Sequence, residues 1–266
     1  MKRVRFVIAI FAFWMVGRAA AADLHPIIQV QNGYLFGATS DGKWIKAEQA
    51  AKTLTDEATY RIYGLTEPLG EAKGGEAKSG DLPCEEQLFV MLSQKPKKGL
   101  IALAAPWNAL PRTPQLIDPT QKVYVDAVRD FLKTKQIKDP KVKIENILRV
   151  DLDGDGKEEA LISATNYFTK DHYVPMWSQA GSYSMVVLFR VTARKVETQL
   201  VEGEFYPKTT SYNAPNSYKV VAILDLDGDG KMEVVVASQY YEGEATTIYR
   251  CNPKKVEELL SVACGA

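Results

Sequence analysis

Histidine is almost absent from this chain: His25 and His172 are the only two in 266 residues. No His-Glu-x-x-His pair and no Gly-x-Ser-x-Gly elbow accompanies them, so neither a zinc-hydrolase helix nor a serine nucleophile turn is written here. A charge excess of either sign is also missing, with 33 basic residues against 33 acidic. No stretch clusters Lys and Arg with interleaved aromatics, which removes the electrostatic footprint of a nucleic-acid binder. After position 22 there is no apolar run long enough to span a bilayer. Cysteine is down to three residues, enough for one disulfide and one free thiol in an oxidising compartment.

The start of the chain has a different composition. Lys2, Arg3 and Arg5 precede an apolar run from Phe6 to Val16, and Ala19-Ala20-Ala21-Ala22 follows. This is the pattern of a secretory signal over residues 1–22, with a small-residue cleavage site. No cysteine follows that site, so lipid anchoring there has no support. Cleavage leaves 266 − 22 = 244 residues, and removing Lys2, Arg3, Arg5 and Arg18 leaves 29 basic against 33 acidic residues, a net −4. The expected location is secreted or periplasmic.

What the chain does have is a repeated acidic loop. Asp-Leu-Asp-Gly-Asp-Gly-Lys-x-Glu begins at Asp151 and again at Asp225, the copies differing only at Glu158 and Met232. Acids at positions one, three, five and nine, with Gly at six, provide the hard oxygens and the sharp turn that calcium requires. Without a cation, four carboxylates so close together repel one another. The expected ligands are Asp151, Asp153, Asp155, the Lys157 carbonyl and Glu159 in the first loop. In the second they are Asp225, Asp227, Asp229, the Lys231 carbonyl and Glu233. Two Ca²⁺ ions follow. A helix-flanked calcium hand would place a Glu at position twelve, where this chain has Ile162 and Val236. Short β-branched runs flank both loops instead, so each reads as the turn of a β-hairpin.

Strand, Asp-x-Asp-Gly-Asp-Gly-x-x-Glu, strand resembles the calcium loops of FG-GAP and VCBS-type repeats, such as those of integrin α-subunit propellers. The resemblance covers about 145–262, and it carries over only to the acids named above and to Gly156 and Gly230. It implies a calcium ion that staples a hairpin in a four-stranded unit. The chain departs from the pattern in showing two copies, and in Glu rather than Asp at position nine. A closed propeller needs at least four blades, so the implied architecture is partial-propeller-like.

The coarse reading is α+β and β-dominated, with a mixed α/β region over 23–140 and a duplicated β region over 141–266. Strands are expected near Ile27–Val30, Tyr34–Phe36, Thr59–Leu65, Leu88–Leu92 and Leu100–Ala105. Helices are expected over Trp44–Leu54 and Val123–Lys133. The stretch from Gly70 to Gly80 reads as a low-complexity surface loop. Pro106, Pro111, Pro114 and Pro119 mark an irregular crossing. Two clusters of four antiparallel strands follow, one around each acid loop, with the loops 74 residues apart.

Between strands of the first unit lies an aromatic loop with Tyr167, Phe168, His172, Tyr173 and Trp177. Such a loop on a rigid scaffold could hold a sugar or a peptide; the other reading is that its rings cover a core edge. The expected function is an exported calcium-binding module whose calcium is mainly structural, acting as a binding or scaffold element with an extracellular polysaccharide or protein as partner. The rival reading is an exported hydrolase with an active site of aromatics and convergent acids, such as Glu85, Glu86 or Asp171.

The cysteine pairing follows from the hairpin reading. If Thr246–Cys251 and Val256–Leu260 pair around Asn252-Pro253, Cys251 sits by the turn. The eight steps from Val256 to Cys264 then extend roughly 26 Å, whereas a disulfide needs Cα atoms within about 7 Å. That points to Cys84–Cys264, with Cys251 free. A terminal helix from Val256 would instead return Cys264 to Cys251.

Overall fold

A computed structural model describes residues 23–54, 57–167, 173–191 and 196–265. The leader at 1–22, Phe168, Asp171 and His172 lie outside the described residues. The chain opens with β1 (His25–Gln29), β2 (Leu35–Ser40) and β3 (Lys43–Lys46), then a short helix α1 (Ala47–Ala50) and a 3-10 turn at Ala51–Thr53. Next come β4 (Ala58–Tyr63), β5 (Pro68–Gly74), β6 (Ala77–Ser79), β7 (Leu88–Val90), β8 (Ile101–Leu103), β9 (Gln115–Ile117) and helix α2 (Lys122–Thr134). Eight strands complete the fold: β10 (Ile144–Val150), β11 (Glu159–Thr165), β12 (Ser182–Val191), β13 (Val196–Tyr206), β14 (Ser217–Leu224), β15 (Glu233–Tyr240), β16 (Gly243–Asn252) and β17 (Lys255–Gly265).

These strands form three antiparallel sheets and one small pair. The first sheet is ordered β3-β2-β1-β8-β4-β5, the second β13-β12-β11-β10-β9 and the third β14-β15-β16-β17, with β6-β7 apart. None of the sheets closes on itself.

Alternation along each strand divides the apolar residues between two faces. In β1, β4 and β8, Ile27, Tyr63, Ile101 and Leu103 face a central cluster. Their neighbours Ile28, Ile62 and Ala102 join a separate layer with Tyr60, Val90 and Leu92. In the second sheet, Leu148, Leu161, Val186 and Leu188 also point to the central cluster. Ile147, Ile162 and Val187 turn the other way, where Val128 and Leu132 of α2 cover them. The third sheet adds Val220, Ile223, Val235 and Ile248 to the centre. One apolar interior is therefore shared by all three sheets, across the change in sequence pattern near residue 140.

The second and third sheets also meet through a polar seam. β14 is the first strand of its sheet, and its free edge faces the second sheet. The Tyr218 N–H donates to Ser184 Oγ (2.8 Å) and the Val220 N–H to Ser163 Oγ (3.0 Å), both with buried hydroxyls. Buried backbone donors need partners, and here side chains of the neighbouring sheet provide them.

Several expectations need correction. The helical spacing from Trp44 to Leu54 yields only α1 and the 3-10 turn, because Trp44 and Ile45 are drawn into β3 beside β2. The Gly70–Gly80 stretch is not a surface loop: β5 pairs with β4 and β6 with β7. Its Ala72 and Gly74 are buried, and a Cβ on Gly74 would sit 2.9 Å from Val90 and 3.1 Å from Tyr60. The small residues are there for close packing. The sheet around the first acid loop has five strands rather than four, since Gln115–Ile117 adds to β10. Three residues after a proline-rich run carry too little periodicity to be read as a strand. Elsewhere the elements match more closely: α2 extends the expected helix by one residue at each end, and β10 to β17 overlap the eight expected runs.

Cys84 and Cys264 form a disulfide with Cα atoms 5.5 Å apart, and Cys251 is free. The hairpin register explains the choice. Cys251 pairs with Val256 next to the turn, whereas Cys264 pairs with Glu244 at the opposite end of β16. The bond closes a loop with a sequence separation of 180 residues. For a loop that long, chain-entropy reasoning gives a stabilisation of up to about 5 kcal/mol. Replacing both Cys84 and Cys264 with Ser is expected to lower the melting temperature, and non-reducing peptide maps of the native chain should link these two cysteines. A fragment joining Cys251 to Cys264 would overturn the register.

Candidate metal centres

Each acid loop connects two strands of one hairpin, β10 to β11 and β14 to β15. In the first, one oxygen each from Asp151, Asp153 and Asp155 lie within 4.8 Å of one another, and in the second the same holds for Asp225, Asp227 and Asp229. The backbone makes this convergence possible. The Gly154 N–H donates to Asp151 Oδ1 (2.7 Å) and the Gly156 N–H to Asp151 Oδ2 (3.0 Å). The second loop repeats both bonds, from Gly228 and Gly230 to Asp225 at 2.8 and 3.0 Å. All four glycines have positive φ, from 77° to 86°, a conformation that costs other residues roughly 1–2 kcal/mol each. The loop thus wraps its own first carboxylate.

The position-nine acids occupy matched places as well. Glu159 Oε2 accepts the Leu152 N–H (2.9 Å) and Glu233 Oε2 the Leu226 N–H (3.0 Å). Glu233 is 1% exposed and Asp225 4%. Burial pushes the Glu233 carboxyl up to about 8, with the Asp227 charge adding to the rise. Burial likewise raises Asp225, Asp227 and Glu159. Exposed Asp155 goes the other way, held down by its hydrogen bond from the Lys157 side chain. Stacked acids of this kind need positive charge nearby.

Part of that charge comes from two arginines the sequence reading did not single out. Arg190 on β12 has its Nε 3.8 Å from Glu159 Oε1, and Arg250 on β16 has its Nε 3.5 Å from Glu233 Oε1. Arg250 also pairs with Asp227 and lies over the Trp44 ring, 5.8 Å from its centroid. The signal was available: an arginine near the end of the third strand in each unit. Arg190 and Lys157 in the first loop, and Arg250 in the second, still leave the four position-one, -three, -five and -nine acids of each loop with an excess of negative oxygen. The donor set, several hard carboxylates and no nitrogen or sulfur ligand, fits calcium rather than a transition metal.

The larger omission lies in the proline-rich crossing between β8 and β9. Trp107 donates from Nε1 to the Asp225 carbonyl (2.9 Å) and rests its ring against Gly228. The Asp225 N–H donates to the Ala109 carbonyl (2.8 Å), and Thr39 Oγ1 to the Leu226 carbonyl (3.1 Å). Trp107 is itself fixed by the first sheet, through an edge contact with His25 and a hydrogen bond from Arg61 to its carbonyl. His25, near the expected cleavage point, is therefore a packing residue. Further along, Arg112 donates from Nε to the Asp151 carbonyl and from Nη2 to the carbonyls of Leu152 (3.2 Å) and Gly230 (2.7 Å). The Met232 N–H donates to the Leu152 carbonyl (2.9 Å). The two acid loops are neighbours joined through these bonds.

The aromatic loop divides between its two readings. Tyr167 is buried and packs near Tyr206, where a rim of phenols surrounds Glu204; Tyr206 and Tyr218 both donate to that carboxylate, at 2.8 and 3.0 Å. Tyr173 and Trp177 are 75% and 48% exposed, and Trp177 meets Tyr212, itself 84% exposed, edge to face. Tyr212 has φ 54°, strained for an aromatic residue. A cleft of about 660 Å³ lies elsewhere, lined by Gln29, Asn32, Glu145, Lys219, Gln239 and Glu244 among others. Of the described aromatic-loop residues, Tyr167, Tyr173 and Trp177 are not among its lining.

Gly228 and Gly230 separate two costs. An Ala at Gly230 meets nothing within 4 Å and bears only the positive φ, whereas an Ala at Gly228 also places its Cβ 3.0 Å from the Trp107 ring. Both variants should lose stability, Gly230→Ala by about 1–2 kcal/mol and Gly228→Ala by more. Equal denaturation midpoints would show that Trp107 does not buttress the loop.

The sequence model of the FG-GAP repeat matches residues 218–249. That range starts within β14, contains the whole second acid loop and β15, and ends within β16. No curated protein and no solved structure matches the chain.

Proposed function

We propose that the protein is an exported binding or scaffold module whose acidic loops hold two calcium ions as structural staples. The observation that carries this reading is the pair of three-carboxylate clusters, each on a hairpin turn and one of them inside an FG-GAP repeat match. Asp151, Asp153, Asp155 and Glu159 would hold the first ion with the Lys157 carbonyl. Asp225, Asp227, Asp229 and Glu233 would hold the second with the Lys231 carbonyl. A bound calcium would cancel the mutual repulsion of these acids. The arrangement of β10–β13 and β14–β17 around equivalent loops supports a duplicated unit following the 23–140 region. The signal-like pattern at 1–22 and the Cys84–Cys264 bond support export. Among the described residues no helix is long and apolar enough to cross a membrane.

The surface offered to a partner is the exposed part of the aromatic loop, Tyr173 and Trp177, extended by Tyr212. Aromatic faces on strained but well-tied turns suit a polysaccharide or a protein chain. The tie consists of the Thr210 N–H to Ser178 carbonyl bond (3.1 Å), the Ala214 N–H to Met176 carbonyl bond (3.2 Å) and the Ser178 N–H to Asn213 Oδ1 bond (2.9 Å).

Calcium is expected to raise the melting temperature, because the folded loops bind it and the unfolded chain binds it poorly. At a free concentration about 100 times the dissociation constant, each site adds about 2.7 kcal/mol. No shift between calcium and a chelator that has demonstrably stripped the ions would overturn the assignment. Calorimetric titration assigns the ligands: Asp155→Ala and Asp229→Ala should each lose one of two equivalents, and a variant still binding two would refute the ligand set.

A further inference from the structure

The contacts between the loops give them a shared mechanical element. Arg112 grips the first loop at the carbonyls of Asp151 and Leu152, and the second at the carbonyl of Gly230. The Met232 N–H returns to the Leu152 carbonyl. In the second loop these bonds fall on positions six and eight, on either side of Lys231, whose carbonyl is the expected position-seven ligand. In the first they fix the two peptides on either side of position two, Leu152, whose N–H also orients Glu159.

We propose that Arg112 is a positioning residue that makes cation binding at the two loops cooperative. This rests on the reading of both loops as calcium sites. Ordering the first loop sets the Asp151 and Leu152 carbonyls, which fixes the guanidinium and the Leu152–Met232 bond, and so aligns the peptides flanking Lys231. The second ion then meets a loop already held in shape, and less conformational entropy is lost when it binds. The same holds with the order reversed, since coupling between sites is reciprocal. Guanidinium geometry is needed because one planar fork serves three carbonyls; a lysine ammonium has the charge but not the fixed donor angles.

A double-mutant cycle on the full chain, read by calcium titration calorimetry, tests this. Asp155→Ala should weaken the remaining ion at the second loop by about fivefold or more, the lower range of ordinary allosteric coupling, and Asp229→Ala should weaken the first loop by the same factor. Repeated in Arg112→Lys and Arg112→Ala backgrounds, both losses should shrink to below about twofold, which a merely destabilising role of Arg112 would not produce. Arg112→Lys keeps the charge and serves if the alanine variant does not fold. Two ions bound independently in the native chain would overturn the coupling and leave the calcium assignment intact. Coupling that persists in Arg112→Lys would overturn the role of Arg112. A native chain that binds no calcium would overturn the calcium assignment and the coupling together.

Discussion

Like charges forced together by covalent spacing are the constraint around which the C-terminal half is organised. The acids at positions one, three, five and nine cannot spread apart, because the hairpin on either side fixes both ends of the loop. Their oxygens converge through glycines in left-handed conformations and backbone N–H groups turned inward. Arg190 and Arg250 each offset part of the charge from the third strand of the unit. Two of the three sheets thus depend on how this repulsion is met, and through the shared apolar interior the first sheet does as well.

The two loops are not equivalent. The second is the more buried, and the first sheet supports it through Trp107, Ala109 and Thr39. The first lies nearer the surface, and the crossing reaches it through Arg112. The N-terminal region is therefore part of the scaffold of these centres, since it grips the second loop and ties it to the first. The same division accounts for Arg61 and His25, which fix the tryptophan that does the gripping.

Local chemistry was legible in the sequence; long-range support was not. The acid loops could be read because their meaning lies within nine residues. The strands of β10 to β17 could be read because each contains a short run of β-branched or apolar residues. The hairpin reading set Cys251 and Cys264 apart, which left Cys84 as the partner that the structure gives Cys264. Trp107 and Arg112 remained invisible because their partners are 118 residues away at Asp225 and Gly230, and an irregular proline-rich segment has no period to betray its direction. Ala72 and Gly74 misled for a related reason: small residues look like a loop until the facing Tyr60 and Val90 show that nothing larger fits. Tyr212 is not legible as part of the aromatic loop because it lies past the long β13 strand, and only the turn beyond that strand brings it beside Trp177.

The seam of Ser163 and Ser184 against β14 has a consequence for solubility. A sheet whose first strand leaves N–H groups unpaired can recruit a strand from another molecule. In this chain those donors end on two short hydroxyls rooted in the neighbouring sheet. A serine oxygen can end a hydrogen-bond ladder but cannot extend it, so that edge is closed to recruitment without a covering strand. The protein can then keep three open sheets side by side, with no ring closure, and still close this edge of the third sheet to a stray β-strand.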